Sequence, residues 1–396
     1  MQRSRSIIVG ASFIIIISFT QVFPPSIAYA TVATTFDSFQ ARPPIHAFMG
    51  ASSVPQGLSP ADIKAAYHLP TTGGSGTIAI ISAFHHPSVE SDLASFTKAF
   101  NIASCTIKNK CLEIHSMTSS LKTDSGWDLE TALDTEWSHA IAPKAKILVV
   151  EAARDDGPDL LRAVDFAASR SDVVSVSMSW GGGEFIGETK LDSHFSISAK
   201  NNNIPVFFAS SGDDGAGVSW PASSANVVSV GGTSLMLKKS LEKSGKVITS
   251  VASEKAWSGS GGGVSAYESQ PLYQSDYSIS RSVGMRAVPD ISYEADPMYG
   301  FSVYHLASAG SASGTNGKHW YIIGGTSAGA PQWAAINALG KSVSLSALYR
   351  DKAATNNTAY FRDITSGKNG TCAYFCTARK RYDYVTGLGS PLTWKF

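Results

Sequence analysis

One serine in this sequence of 396 residues stands in a setting that suits a nucleophile. Ser327 lies in the run GGTSAGAP, residues 324–331, which follows the apolar residues 320–323 and precedes a helical pattern at 332–336. Small neighbours allow a substrate carbonyl to approach the hydroxyl closely. The start of a helix directs backbone N–H groups toward developing negative charge. A small-residue turn that packs a helix also explains an isolated motif of this type, so the interpretation depends on the partners of Ser327.

Histidine is not placed to act as the base of Ser327. A Ser-His-Asp triad would call for an acid just after the first strand and a His-Gly-rich motif. The first predicted strand ends instead in residues 81–84, ISAF, and His85 and His86 follow without that motif. His139 lies in a predicted helix, where an ordinary polar position is the simpler interpretation. The sequence therefore disfavours a histidine-dependent mechanism.

Two carboxylates are better placed. Glu130 and Asp134 are four residues apart and share one face of a predicted helix. Leu129, Ala132 and Leu133 surround the pair with apolar side chains, which indicates burial rather than a solvated acidic face. Two buried acids at this spacing cannot both ionise easily, so they share one proton and one pKa is raised. Such a pair could accept the proton of a serine hydroxyl, and it works best at acidic pH.

A third acid, Asp213, follows the predicted strand 205–209 in the run SGDDG. Aspartate is a common turn former in a loop of this composition. The functional interpretation is a carboxylic acid that stays protonated and donates a hydrogen bond to an oxyanion.

Helices and strands that would position these residues alternate along the chain. Ser59 and Pro60 mark a helix start. Later helices are predicted at 89–100, 127–140, 159–169 and 191–200, and strands at 77–81, 146–150, 173–178 and 205–209. This alternation of short apolar strands with helices predicts an α/β fold with a mostly parallel sheet covered on both faces. Sites in such sheets gather at the carboxyl ends of strands, here the segments 179–183 and 210–215.

Composition and the N-terminal residues indicate the class of protein and its expected location. Hydrophobic residues make up 43% and charged residues 16%, which is typical of a globular protein. A net charge of +1 gives no electrostatic footprint for nucleic acid. Residues 1–30 contain basic, apolar and small-x-small segments in the order of a signal peptide, so we expect a secreted protein with no membrane association after cleavage. A membrane anchor is the alternative, but the apolar run is short for a span.

The four cysteines form two close pairs, Cys105 with Cys111 and Cys372 with Cys376. Two local disulfide bonds are the simplest pairing in an exported chain. A zinc site is the alternative, but neither pair has C-x-x-C spacing and no histidines accompany them.

Taken in order, the motifs resemble those of the sedolisins, the serine-carboxyl peptidases. The similarity runs from about Leu58 to Pro391 and is carried by the runs ETALDTE at 130–136, SMSWG at 177–181, GDDG at 212–215, GGGVS at 261–265, VPD at 288–290 and GTSAGAP at 325–331. The resemblance implies a subtilisin-like fold in a single catalytic domain, residues 58–396.

The resemblance also implies a role for each acid. Ser327 would be the nucleophile and Glu130 the general base, with Asp134 orienting Glu130 and sharing its proton. Asp213 would stabilise the oxyanion together with the backbone N–H of Ser327.

A calcium site near the C-terminus is implied in the same way, with one structural ion. The protein ligands carried over are the carboxylates of Asp363 and Asp383 and the backbone carbonyls of Ile364, Arg379 and Arg381. All-oxygen ligation suits calcium. The family usually has glycine at the two arginine positions, so this sequence departs from its pattern there.

Typical sedolisins also carry a large N-terminal prodomain, whereas residues 31–57 form only a short leader here. We therefore expect the chain either to fold without that aid or to receive a prodomain or inhibitor in trans. The expected function is an exported acid peptidase that cleaves polypeptides through an acyl-enzyme, with endopeptidase activity favoured. The alternatives are an exopeptidase of the tripeptidyl-peptidase type and a catalytically silent binding protein on the same scaffold.

Overall fold

The computed structural model of the chain describes residues 35–197, 204–242, 244–245, 247–306, 317–350 and 359–396. Contacts between Cα atoms divide the chain into two units, and every described residue belongs to the second, residues 33–396. The predicted signal peptide, residues 1–30, lies outside the described residues. Within the described part, no helix has the length and apolar character needed to cross a membrane.

Strands supply most of the regular structure around the site. Numbered in chain order, they are β1 His46–Ser52, β2 Thr77–Ala83, β3 Leu112–Ser116, β4 Lys146–Ala152, β5 Val173–Met178, β6 Gly182–Gly183, β7 Val206–Ser210, β8 Ser219–Trp220, β9 Val227–Leu241, β10 Val247–Ala256, β11 Gly263–Ser269, β12 Met285–Val288, β13 Ile291–Glu294, β14 Phe301–Tyr304, β15 Trp320–Gly324, β16 Phe361–Arg362 and β17 Ser390–Pro391.

Helices connect and cover these strands. The α-helices are α1 Pro60–Ala66, α2 Val89–Ala99, α3 Ser125–Ile141, α4 Gly157–Ala168, α5 Leu272–Tyr277, α6 Gly329–Gly340 and α7 Leu345–Leu348. Short 3₁₀ helices lie at Phe36–Ser38, Glu188–Ser196, Pro297–Tyr299, Thr326–Ala328 and Ala373–Cys376.

The central sheet has the strand order β10-β9-β7-β5-β2-β4-β3, and β13 also pairs with β9. Every pairing in it is parallel except the hairpin of β9 with β10. This architecture confirms the predicted α/β fold with a mostly parallel sheet in a single domain. Strands β5 and β7 are neighbours in register, Met178 opposite Ala209, so the segments that follow them emerge side by side.

Both faces of the sheet are buried, because alternate residues of each strand point to opposite sides. On β2, Ile78 and Ile80 belong to one apolar cluster, which includes side chains of α3 and α6. Ala79 and Ile81 belong to a second cluster, which includes side chains of α4. The sheet is therefore sandwiched between helices, and α3 is fixed against it on the side that carries α6.

Local sequence signals explain most element boundaries. The Ser59 hydroxyl caps α1 by accepting the Asp62 N–H at 3.3 Å, with Pro60 in the first turn, as predicted. The predicted helix 191–200 is wrong over its described part, since a 3₁₀ helix at Glu188–Ser196 is found instead. The short leader predicted at 31–57 contains strand β1, which residue periodicity did not predict.

Both disulfide bonds have the predicted local pairing, Cys105 with Cys111 and Cys372 with Cys376. The bonded cysteines are 6 and 4 residues apart in sequence, so each bond closes a short loop. The disulfide bonds therefore cross-link local segments and do not join distant elements.

Candidate active site

Ser327 lies between strand β15 and helix α6, in the 3₁₀ helix Thr326–Ala328. The turn before Ser327 depends on Gly325, which has φ +118°, a backbone conformation that residues with a side chain rarely adopt. A Cβ at Gly325 would lie 2.2 Å from the Pro44 carbonyl oxygen and 2.6 Å from Asp213 Oδ2. Only glycine therefore allows the backbone before Ser327 to come so close to its neighbours.

Glu130 and Asp134 lie on the side of α3 that faces the core, and both are buried. The Asp124 side chain caps the helix by accepting the N–H groups of Gly126 and Trp127. Thr131, next to Glu130, shares a hydrogen bond of 2.6 Å with the Ser82 hydroxyl of β2. This contact and the packing of α3 hold the carboxylates in place against the sheet.

The electrostatics of the pair are those of two acids in an apolar site. Burial, and next the charge of Asp134, raise the pKa of Glu130 well above its usual range, while the Ser327 hydroxyl lowers it. Burial raises the pKa of Asp134 to about 8, against the opposing effect of its hydrogen bond with Ser179. The pair therefore titrates as a unit that holds at least one proton over the acidic range.

Ser179 connects the acid pair to the nucleophile. Its hydroxyl, at the carboxyl end of β5, lies 2.8 Å from Asp134 Oδ1 and 3.2 Å from the carbonyl oxygen of Ser327. The Ser327 hydroxyl in turn lies 3.5 Å from the Ser179 carbonyl oxygen. Sequence reasoning gave Ser179 no role, although its place at a strand end was the signal that could have identified it.

Asp213 lies in the loop after β7, on the other side of Ser327. Its Oδ1 accepts the N–H and the hydroxyl of Thr326, both at 2.8 Å, and Gly212 donates its N–H to the same hydroxyl at 3.1 Å. Burial raises the pKa of Asp213, and the contacts with His46 and Thr326 lower it. His46 Nε2 lies 3.1 Å from Asp213 Oδ2, which places an ionic contact at the proposed oxyanion donor.

A stretch of the chain itself runs through the cleft that these residues line. Residues 39–46, here called the cleft segment, line a cavity of about 500 Å³ together with Gly181 and Asp213. The Arg42 N–H donates to the Gly181 carbonyl at 3.0 Å, and the Gly181 N–H donates to the Arg42 carbonyl at 3.2 Å. The Ser327 N–H donates to the Pro44 carbonyl at 3.4 Å. A carbonyl oxygen thus occupies the position where the nucleophile's own N–H would bind an oxyanion.

The residues of the expected calcium site come together near the C-terminus. The Arg381 N–H donates to both carboxylate oxygens of Asp363, at 3.1 and 2.9 Å, and the Arg379 N–H donates to Asp383 Oδ2 at 3.1 Å. Each arginine therefore turns its N–H to a carboxylate, whereas the resemblance uses its carbonyl. Burial raises the pKa of Asp383 to about 7. The structure thus places two carboxylates near each other's segments, Asp383 buried and Asp363 half-buried, and carboxylate oxygen is a donor type that calcium prefers.

The structure thus brings Glu130, Asp134, Asp213 and Ser327 together from three separate parts of the chain, and their catalytic roles stay predictions. His139 donates its Nε2–H to the Ala103 carbonyl at 2.7 Å, an ordinary structural contact as expected.

Comparison with known proteins identifies the family and supports the fold. A family model described as the subtilase family matches residues 127–371. Sedolisin of Pseudomonas sp. (strain 101) is 27% identical over 369 residues, covering 86% of this chain and 60% of that protein. Kumamolisin of Bacillus sp. (strain MN-32) is 29% identical over 386 residues, covering 86% and 63%. The chain therefore spans about three fifths of the length of these relatives.

A solved structure of Pseudomonas sedolisin, a serine-carboxyl proteinase complexed with two molecules of pseudo-iodotyrostatin, has the same fold. It superposes with a TM-score of 0.67 at 25% sequence identity, over 85% of this chain and 96% of that one.

Proposed function

This chain is a sedolisin-type member of the subtilase family, and we propose that it is a secreted, acid-active serine-carboxyl peptidase. The observation that supports the proposal most directly is the convergence of one serine and three buried acids. Both carboxylate oxygens of Glu130 are buried without a well-directed hydrogen bond among the described residues, and the Ser327 hydroxyl lowers the pKa of Glu130. Asp213 contacts Thr326, the residue before Ser327. Such an arrangement supplies a nucleophile, a base and an oxyanion donor without histidine.

The proposed reaction proceeds through an acyl-enzyme. Ser327 Oγ attacks the scissile carbonyl carbon, and Glu130 takes the hydroxyl proton while Asp134 shares the proton already on the pair. The oxyanion accepts hydrogen bonds from the Ser327 N–H and from protonated Asp213. Glu130 then gives its proton to the leaving amine as the C–N bond breaks. Water, deprotonated by Glu130, attacks the ester and releases the acid, which restores Ser327.

Endopeptidase activity is favoured over exopeptidase activity by the path of the cleft segment. This segment passes Gly181 on one side of Ser327 and continues into β1, which pairs with β15, on the other side. A cleft that admits a continuous chain on both sides of the nucleophile suits cleavage within a polypeptide. An exopeptidase would need a barrier that recognises a free terminus.

The test is digestion of a peptide library by the full chain at about pH 4, read by mass spectrometry, with Ser327→Ala in parallel. Internal cuts that vanish in the variant are expected. Release of short peptides from N-termini alone would favour the exopeptidase. An absence of serine-dependent cuts between about pH 3 and 7 would favour the binding-protein alternative.

The cleft segment must leave the site before a substrate can bind, and Phe39 anchors it. Phe39 is 3% exposed and packs edge-on against Trp220 at 4.9 Å between ring centroids and against Phe185 at 5.6 Å. Truncation of a buried phenylalanine costs about 3–5 kcal/mol, so Phe39→Ala should raise the open population by on the order of 10²-fold or more. We expect a higher initial rate on a short peptide, or a shorter lag.

Phe48→Ala is the matched control, because Phe48 lies further along the same stretch and is 44% exposed. It should leave the time course unchanged. Equal initial rates for Phe39→Ala and the unmodified chain would mean that the cleft segment does not limit substrate access.

We also propose that one calcium ion is held by Asp363 and Asp383, with carbonyl oxygens from Ile364 and the two arginines. The ion would supply positive charge to one buried and one half-buried carboxylate and would cross-link their segments. Removing calcium with a chelator should lower Tm by about 3–4 °C relative to calcium at roughly 100 times its Kd. Asp383→Asn should abolish this shift, and an unchanged Tm on chelation would contradict the site.

A further inference from the structure

Two histidines and an aspartate that the proposed mechanism does not use converge inside the protein. His86 lies in the turn between β2 and α2, Asp92 lies in the first turn of α2, and His305 directly follows β14. One donor atom of each residue lies within 4.8 Å of the other two. Donor atoms from three separate parts of the chain therefore lie close together.

All three side chains are removed from solvent, with exposures of 1% for His86, 0% for Asp92 and 5% for His305. Among the described residues, both ring nitrogens of His86 and the Nδ1 of His305 lack a well-directed hydrogen bond. Buried polar atoms are normally satisfied, and an exception calls for a ligand, a water molecule or a functional reason. Nitrogen lone pairs beside a carboxylate form a donor set for a cation.

The distances between donor atoms fit a metal site. His86 Nε2 lies 3.2 Å from Asp92 Oδ2, and His305 Nδ1 lies 3.5 Å from the same oxygen. Zinc binds histidine nitrogen and carboxylate oxygen at about 2.0–2.2 Å in a tetrahedron. Neighbouring donors of such a tetrahedron are separated by roughly 3.3–3.6 Å. The observed separations are thus close to the edges of a zinc tetrahedron.

Hydrogen-bond donors around the group orient the carboxylate of Asp92. Ser88 donates its hydroxyl to Asp92 Oδ2 at 2.9 Å, and the Leu306 N–H reaches both carboxylate oxygens at 3.3 Å. Hydrogen bonds of this kind to a ligand fix its geometry.

We propose that His86, Asp92 and His305 bind one zinc ion, with the fourth position of the tetrahedron left for water. The ion would tie the turn after β2 and the start of α2 to the end of β14. This site is separate from the proposed calcium site in residues and in ligand type, since nitrogen donors select zinc over calcium. It is a structural site, and it does not depend on the proposed peptidase activity.

The experiment uses the full chain with calcium saturated, dialysed against zinc and then against metal-free buffer near neutral pH. Bound metal is measured by elemental analysis, and affinity by titration. About one equivalent of tightly held zinc is expected. Asp92→Asn and His305→Gln should each weaken zinc affinity by at least about tenfold. His85→Gln is the matched control, because His85 is adjacent in sequence but contacts Glu151 instead.

A further measurement, with cobalt, keeps the outcome of the test interpretable. Cobalt in place of zinc should give the visible d–d absorption of a four-coordinate site in the unmodified chain, which tests the site even if a variant fails to fold. Cys105, Cys111 and His139 form a second compact group, but the disulfide bond removes both thiolates. Zinc bound by folded Asp92→Asn with the affinity of the unmodified chain, or an unmodified chain that retains no zinc and gives no cobalt spectrum, would overturn the proposal.

Discussion

Replacing Ser327 by alanine is expected to lower kcat/KM for a peptide substrate by at least about 10⁴-fold, to the level left by binding and oxyanion stabilisation alone. Ser327 is fully buried at the start of α6, and the change removes one oxygen and leaves the turn at Gly325 intact. Without the hydroxyl, the acyl-enzyme cannot form. Neither Glu130 nor Asp213 offers a second nucleophile of comparable placement.

Single-turnover kinetics with a fluorogenic peptide at acidic pH would measure the effect, and Tm would show that the variant is folded. Ser292→Ala is a suitable control, since Ser292 is equally buried and its hydroxyl has no partner among the described residues. It should retain full activity. A folded Ser327→Ala variant that still hydrolyses peptide at the rate of the unmodified chain would rule out the acyl-enzyme mechanism.

The parts of this site that could be predicted from sequence are those whose chemistry is local. Glu130 and Asp134 share a helix face because of their spacing, and Ser327 stands among small residues that a nucleophile needs. Asp213 was recognisable from its position after an apolar strand. In each case a few neighbouring residues are enough to predict the local structure and the chemistry of the side chain.

The parts that sequence analysis missed depend on pairing between distant segments. The contacts of Arg42 with Gly181 and of Pro44 with Ser327 are backbone hydrogen bonds, which any residue other than proline can donate and any residue can accept. The pattern of side chains along the sequence therefore does not predict these contacts. Ser179 was missed for a related reason, since its contact with Asp134 depends on how α3 packs against β5.

The cleft segment also bears on why acid should favour activity. The contact with Asp213 raises the pKa of His46, so His46 keeps its charge in mild acid. Protonation of Asp213 then removes the anionic partner of His46 and at the same time creates the acidic proton that an oxyanion needs. Protonation of Asp213 would therefore weaken its contact with His46 of the cleft segment and would make Asp213 a hydrogen-bond donor for the oxyanion.

Replacing Glu130 by glutamine should lower kcat/KM by about 10²–10⁴-fold, the usual contribution of a general base. In the unmodified chain, activity needs a single proton on the Glu130–Asp134 pair and a protonated Asp213. Activity should therefore pass through a maximum, since at lower pH the pair carries two protons and offers no base, while at higher pH Asp213 ionises. The pair keeps its second proton to neutral pH, because burial raises the pKa of Asp134 to about 8. The pH profile of kcat/KM from about pH 3 to 8 gives both limits.

Stability measurements separate this catalytic role from a structural one. An acid whose pKa is raised on folding stabilises the fold fully below its unfolded pKa, and that contribution is lost as pH rises through the folded pKa. Burial raises the pKa of both Glu130 and Asp134, so the pair should lower stability between about pH 4 and pH 8 in the unmodified chain. Glu130→Gln should therefore have a higher Tm than the unmodified chain near pH 7 while being the poorer enzyme. Glu130→Asp, which keeps a shorter carboxylate, should retain more activity than Glu130→Gln. If the glutamine variant were instead the more active of the two, Glu130 would serve the shape of the site and not proton transfer.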